Sequence, residues 1–271
     1  GTGIPPHEMI LYNRYRGLIS ADQANKSLDS LAAINNIDQI IDQWFRNAVL
    51  MNHTLSVSGG GKMHSFYGSL AYTNTQSNIP GEKNEQFKVN LRQDFRFNKA
   101  IQFYLITDLT NTVTSNKRPI SINNRFYPYQ LFKDENGSNL PINYMGYLGD
   151  SIRQSFQARS RVDLSYNPMD EYNLGNSNAN GLLNRIVSGL NVNLVDGLRY
   201  EGVFGYIKGN SRATSYDDTK SYLVRTELVR FTVAPNTTTA PVYYLPTNGG
   251  RQTVTTVDQR NWTVRNQLVY D

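Results

Sequence analysis

Apolar and polar residues alternate along much of the chain after residue 53, which is the pattern of β-strands that present one apolar face. The clearest such stretch is Phe87–Phe97. Its odd positions carry Phe87, Val89, Leu91, Phe95 and Phe97, and its even positions carry Lys88, Asn90, Arg92, Asp94 and Arg96. One face of this strand is therefore predicted to be apolar and the other polar or charged.

Tight turns separate the alternating segments at Gly59–Lys62, Asn98–Lys99 and Asp196–Gly197. Asp-Gly between two alternating runs is a strong hairpin signal. Several segments run for about 10–13 residues, longer than the ~5–6 of a globular strand and close to the ~9–11 that cross a membrane. The pattern predicts seven long antiparallel strands, at 53–58, 64–73, 87–97, 101–112, 184–194, 198–209 and 259–270.

The connections between these strands alternate in length. Three are short (59–63, 98–100 and 195–197), and three are longer (74–86, about 114–182 and about 210–258). Short turns at one end and long loops at the other are typical of a transmembrane β-barrel, with the long loops extracellular. Residues 156–167 also resemble a strand, but counting them as spanning would move the Asp196–Gly197 turn to the loop end. We therefore assign 114–182 wholly to one loop, with room for a small hairpin, and treat 221–233 likewise.

The first part of the chain has a different period. Apolar residues between Ile37 and Val49 recur at helical spacing, so a helix is predicted over 38–51 with Asp38 at its start. A second short helix is expected at 21–34. The predicted division is a loop region with short helices over 1–52 and a partial barrel over 53–271.

Composition narrows the possible functions. Hydrophobic residues make up 39% of the chain, mean hydropathy is −0.51, and no apolar run reaches the ~20 residues of a spanning helix. Cys is absent, which excludes disulfides and a thiolate nucleophile in this chain. The net charge of +5 is dispersed, so no nucleic-acid site is expected. Carboxylates are sparse and mostly isolated, so we expect no enzymatic activity, metal site or cofactor.

Two protein classes share the alternating pattern. A soluble antiparallel β-sandwich, acting as a binding or adhesion module, also has strands with one apolar face. The strand lengths and the unequal connections favour the barrel, and the sandwich stays as the alternative.

Several segments resemble one family of outer-membrane proteins. The runs Trp44–Ala48 and Met51–Gly60 resemble the segment that opens the barrel in SusC/RagA-type TonB-dependent transporters. Phe66–Asn74 and Phe87–Arg92 are similar to the strands that follow, and the likeness continues in order to the end of the chain.

The resemblance implies a fold and a function. It implies part of a ~22-strand barrel in the cell outer membrane, closed in the whole protein by an N-terminal plug. It also implies nutrient uptake of oligosaccharides or peptides, coupled to the TonB complex, with a SusD-like surface lipoprotein as partner. Plug, TonB-contacting region and barrel ends have no counterpart in this sequence, so the chain is expected to be a fragment of the barrel.

Two groups of side chains are candidates for contact with substrate. The first lies in the long loop, where aromatic rings provide stacking platforms: Arg125, Phe126, Tyr127, Tyr129, Asn143, Tyr144 and Tyr147. The alternative is that these rings pack the loop, or pack against a lid protein. The second group is expected to face the lumen: Lys88, Asn90, Arg92, Asp94 and Arg96. Those side chains either guide substrate or contact the plug, or they pair with one another along a solvated wall.

Overall fold

The computed structural model describes residues 3–118 and 126–270 of the chain. Its main feature is one antiparallel sheet of seven long strands, each paired with the preceding one, which confirms the predicted all-β architecture. The strands are β1 Val49–Gly60, β2 His64–Gln76, β3 Lys83–Arg96, β4 Ile101–Lys117, β5 Gly175–Val195, β6 Leu198–Asp217 and β9 Arg251–Tyr270. Two short strands, β7 Thr232–Val233 and β8 Val242–Tyr243, form a separate hairpin between β6 and β9.

The strands extend further toward the loop end than the alternation predicts. β5 has 21 residues, and β6 and β9 have 20 each. The connections are therefore 77–82, 118–174 and 218–250, narrower than predicted, and β1 begins at Val49 rather than residue 53. The outer ends are rich in Asn, Ser and Thr on both faces, so they carry no apolar alternation although their backbones pair throughout.

Three helices precede the sheet: α1 Pro6–Tyr15, α2 Ala21–Ala32 and α3 Ile37–Trp44. Helix α2 matches its prediction and starts with a capping box between Ser20 and Gln23. Helix α3 begins at Ile37, one residue before the predicted start, and ends at Trp44, so the prediction that the helix continues to residue 51 was wrong. Phe45 adopts an extended backbone, and the next apolar residues enter β1. No helix of the described residues is long and apolar enough to cross a membrane.

Within the described residues, the two long connections carry a 3-10 helix, Asn143–Met145, and three α-helices: α4 Asp150–Ser160, α5 Pro168–Glu171 and α6 Tyr222–Arg230. The strand-like reading of 156–167 was wrong, because α4 covers its first half and Arg161 ends the helix in a left-handed conformation with φ 59°. The segment nevertheless lies outside the sheet, as the strand count required. In the described part of 114–182, where a small hairpin was expected, Lys133 and Asn139 form an isolated antiparallel bridge. The two-stranded hairpin β7–β8 lies instead in the other long connection, 218–250.

Short hairpins occupy one end of the sheet, and they are staggered. Following the strand pairing from Gly60, the last residue of β1, leads through β2, β3 and β4 to Gly189 of β5. Strand β5 continues from there for six residues to Val195. The offset along the strands between β1 and β5 is therefore six residues of ~3.4 Å, or about 20 Å, and the width across their four strand spacings of ~4.8 Å is about 19 Å. If all hairpins lie at the same height, this offset over this width corresponds to a strand tilt of roughly 45°, at the upper end of the ~35–45° of transmembrane barrels.

The buried core lies in the connections and not on the sheet. Trp44, Phe132, Ile142, Tyr144 and Met169 form it, which ties the N-terminal helices to the connection 126–174. The apolar face of the sheet stays uncovered within the described residues: Leu55 is 71% exposed, Trp262 71% and Leu268 66%. A sandwich would bury this face against a second sheet, so the sandwich alternative is not favoured.

Candidate functional site

The polar face of the sheet carries the residues expected to face the lumen. Lys88, Asn90, Arg92, Asp94 and Arg96 alternate with the apolar residues of β3 and so share one face. Arg92 donates two hydrogen bonds of 2.9 Å to Asp94, and its guanidinium lies 5.7 Å from the ring of Tyr104. Asn90 donates to Asp108 on the neighbouring strand. The central side chains of this face therefore pair with one another, and their lumenal position stays a prediction.

The aromatic residues proposed as substrate contacts do not form one site. Phe126 packs against Trp44 and Phe132, with ring centroids 5.6 and 5.1 Å apart. Tyr144 is 8% exposed within the same core. Asn143 accepts a hydrogen bond from the backbone N–H of Tyr166. These three side chains hold the connection together, as the packing alternative predicted.

Tyr127 and Tyr129 form a separate stacked pair. Their ring centroids are 5.5 Å apart and nearly parallel, and His7 of α1 lies against both rings. His7 Nδ1 and the Tyr129 hydroxyl are 2.6 Å apart. The pair therefore anchors α1 to the long connection. Arg125 lies outside the described residues.

Tyr147 belongs to a different feature, a cavity of about 750 Å³ between the two long connections. Its walls are mainly apolar and aromatic, which suits the side chains of a ligand. Tyr147 is 79% exposed at this cavity, whereas Tyr222 and Leu164 are almost completely buried. Further wall residues are Leu148, Phe156, Tyr166, Leu223, Val229 and Ala234.

Two arginines give the cavity a positive charge. Arg159 lines the cavity, and its guanidinium lies 5.4 Å from the ring of Phe156. Arg230, at the end of α6, is exposed. Neither forms an ion pair within the described part of the chain. Arg159 Nε donates to the backbone carbonyl of Ser155 over 3.3 Å, which leaves its terminal N–H groups to face the cavity ligand. An apolar cavity with two guanidinium groups outside any ion pair of the described residues is suited to a ligand that combines an apolar group with a carboxylate.

Ion pairs hold the base of the cavity. Arg118, just after β4, donates from Nη1 to Glu171 over 3.0 Å and pairs through Nη2 with Asp217 at the end of β6. Glu171 also accepts a 2.6 Å hydrogen bond from the backbone N–H of Tyr222. Arg225 of α6 bonds to the carboxylate of Asp163 over 3.0 Å. The two connections are thus tied to each other and to the sheet.

Burial changes the proton affinity of two groups at this base. It raises the pKa of the Tyr166 phenol to about 12, and the charge of Glu171 adds to the effect. Burial also raises the pKa of Glu171, opposed by the N–H of Tyr222 and by the charges of Arg118 and Arg225. Tyr166 therefore stays neutral at physiological pH and presents an apolar ring to the cavity.

Sequence reasoning found one residue of this cavity, Tyr147. Phe156, Arg159, Tyr222 and Arg230 were missed because they lie on two helices from different connections, where 156–167 had been interpreted as a strand. The helical spacing of Tyr222, Thr226 and Val229 was the available signal.

Comparison with known proteins agrees with the fold. No protein-family model matches the chain, and no curated protein matches it. A solved structure of the RagAB peptide importer in the 'closed-closed' state is 15% identical at a TM-score of 0.50, over 67% of this chain and 20% of that chain. For the importer in the 'open-open' state the identity is 15%, the TM-score 0.49, and the coverage 67% and 20%.

The chain therefore spans about a fifth of the length of those importer chains. At this identity the likeness shows the fold alone. Over the 67% of the chain that the comparison covers, the fold is SusC/RagA-like, as the resemblance of the sequence implied.

Proposed function

We propose that this chain forms part of the wall and the extracellular mouth of an outer-membrane transporter. The observation that carries the proposal is the staggered, two-faced sheet. Its apolar stretch from Phe87 on β3 to Phe97, the residue after the strand end, covers about 34 Å, or roughly 24–26 Å along the membrane normal at a tilt of 40–45°. That span matches the ~25 Å apolar band of outer-membrane barrels. In this proposal the apolar face contacts lipid and the face of Lys88 and Arg92 lines the lumen.

The edges of the sheet support a larger barrel. Strands β1 and β9 each pair on one side only within the described residues. Unpaired backbone groups are not tolerated in lipid, because no water is present to satisfy them. Further strands must therefore cover both edges in the membrane, and we propose that they complete a barrel of ~22 strands around a plug domain.

We propose that the transporter imports peptides or oligosaccharides, with TonB supplying energy and a SusD-like lipoprotein covering the mouth. The RagAB neighbour is a peptide importer, which supports peptides as the substrate class. The cavity between the connections supports the same choice, because it offers apolar walls beside Arg159 and Arg230. The C-terminal residue of a peptide offers an apolar side chain for these walls and a free carboxylate for the two arginines. We propose no catalytic role.

Uptake by cells that carry the intact protein tests this function. Labelled peptides with an apolar C-terminal residue are expected to accumulate in the periplasm only while the proton-motive force is present. Ala234→Trp, which narrows the cavity, is expected to lower peptide binding, whereas Ala240→Trp, outside the cavity in the same connection, leaves it unchanged. Surface binding without energy-dependent accumulation would instead identify a binding or adhesion module.

A further inference from the structure

Two basic side chains oppose each other on the outward face of the last strand pair. Lys208 of β6 is the register partner of Arg260 of β9, so both project from the same face with Cβ atoms about 4.5–5.5 Å apart. Like charges in this position destabilise a sheet. Both side chains are exposed, and neither forms an ion pair within the described part of the chain.

The position of the pair in the sheet is specific. Tyr206 and Trp262, also register partners, lie on the same face two residues closer to the hairpin end. Trp262 is 71% exposed, and the apolar pairs Phe204–Val264 and Tyr200–Leu268 follow on the same face. The order along the strands is thus apolar, aromatic and then basic. Aromatic residues mark the edge of the apolar band in membrane barrels, and the next pair lies about 7 Å further along the strands, or about 5 Å further out along the membrane normal at a tilt of 40–45°.

The charge continues beyond the pair. Arg212, exposed on the same face of β6, lies two register steps further toward the loop end. Asp258 is the carboxylate between these levels on β9. The opposing positions on β5 are Asn184 for Lys208 and Asn180 for Arg212, which add hydrogen-bonding groups but no charge. Three cations against one acid leave the patch with a net positive charge.

We propose that Lys208 and Arg260, with Arg212 beside them, bind the phosphate group of an outer-leaflet lipid. This rests on the proposed function, which places their face toward lipid and the loop end outside the cell. A phosphate between two cations replaces their repulsion by charge-assisted hydrogen bonds, and Arg contacts it with two donors. The headgroup level, directly beyond the Tyr206–Trp262 pair, is where a lipid phosphate lies. An acidic protein partner would have to reach the same level through the lipid headgroups.

The test compares variants of the intact protein in nanodiscs of phosphatidylcholine with a minor fraction of diphosphorylated lipid A. Lipid retention by native mass spectrometry and affinity by titration are the readouts. Lys208→Gln with Arg260→Gln is expected to weaken lipid A binding about twenty-five-fold, because each basic group near an anionic lipid surface contributes roughly five-fold. The matched control is Lys99→Gln with Arg265→Gln, which removes the same charges at the hairpin end and on the opposite face.

Additional measurements distinguish failure of the proposed lipid site from failure of the proposed function. Lipid A without phosphates is expected to bind the native protein as weakly as lipid A binds the Lys208/Arg260 variant. Equal lipid A binding by the variant and the control would overturn the inference, as would displacement of lipid A by inorganic phosphate alone. Trp262 is expected to be quenched by phosphatidylcholine with brominated acyl chains, with Trp262→Phe as the reference. Absent quenching would contradict the proposed function itself, whereas quenching without phosphate-dependent binding overturns the lipid site alone.

Discussion

Replacing Arg118 by Met is expected to loosen the two long connections, 118–174 and 218–250, from each other and from the sheet. The Arg118 guanidinium contacts Glu171 in one connection and Asp217 at the end of β6. The Arg118 backbone N–H also bonds to the carbonyl of Gly175 over 3.1 Å, so its side chain starts from a fixed position. Met keeps the aliphatic bulk of the side chain and removes the charge and the donors.

The magnitude follows from burial. The Glu171 and Asp217 side chains are 4% and 10% exposed, so removing Arg118 leaves two carboxylates with little access to water. Removing one partner of a buried ion pair costs about 3–5 kcal/mol. Arg225 and Arg251 remain 3.8 Å from the two carboxylates, which places the expected cost near the lower limit. About 3 kcal/mol corresponds to a roughly 150-fold increase in the population of opened connections.

Native-state hydrogen exchange on the intact protein measures this opening. Amides of 163–174 and 218–231 are expected to exchange about 150-fold faster in Arg118→Met, while amides of β3 and β4 keep their protection. Arg92→Met is the matched control, because its ion pair with Asp94 is half exposed and contributes at most ~1 kcal/mol. Unchanged or increased protection of both connections in Arg118→Met would refute the reasoning.

Three other predictions concern stability. Phe132→Ala is expected to cost about 3–5 kcal/mol of local stability, since Phe132 is fully buried against Trp44; proteolysis of 126–174 measures it, with Phe132→Leu retaining most of the stability. Burial tends to raise the pKa of Asp163, but hydrogen bonds from Ser165 and the charge of Arg225 outweigh it and lower that pKa. The ionised Asp163 therefore stabilises the folded connection fully above the ordinary Asp pKa of about 4, and this stabilisation is lost as the pH falls through the lowered pKa of Asp163. Asp163→Asn is expected to make the rate of proteolysis of this connection less dependent on pH in the acid range. Gly197→Ala, at φ 78°, is expected to lower the unfolding free energy by about 1–2 kcal/mol in urea, whereas Gly61→Ala, in open space, is nearly neutral.

The sheet was predictable from sequence because apolar and polar side chains alternate along its strands with a period of two residues. Where one face is apolar, as over Phe87–Phe97, the alternation locates the strand and its faces. The outer ends of β5, β6 and β9 are polar on both faces, so only backbone pairing defines them. The same limit explains why the predicted connections were too wide.

The cavity was not predictable in the same way. Its walls come from segments near 147–171 and 222–234, which are joined by contacts across the two connections such as that of Glu171 with the backbone N–H of Tyr222. Contacts between segments so far apart in the chain produce no repeating pattern in the local sequence. The aromatic residues chosen from the sequence lie in one of the two connections that form the cavity, but most of the chosen rings, such as Phe126 and Tyr144, pack in or against the core of that connection.

A nitroxide scan along β3 tests the central claim most directly. Spin labels placed one at a time at residues 87–96 of the intact protein in a lipid bilayer report access to oxygen, which dissolves in lipid, and to a water-soluble nickel chelate. The account predicts a period of two residues, with Phe87, Val89 and Leu91 open to oxygen and Lys88, Asn90 and Arg92 open to nickel. Odd positions that are shielded from both probes, as in a face packed against a second sheet, would contradict it.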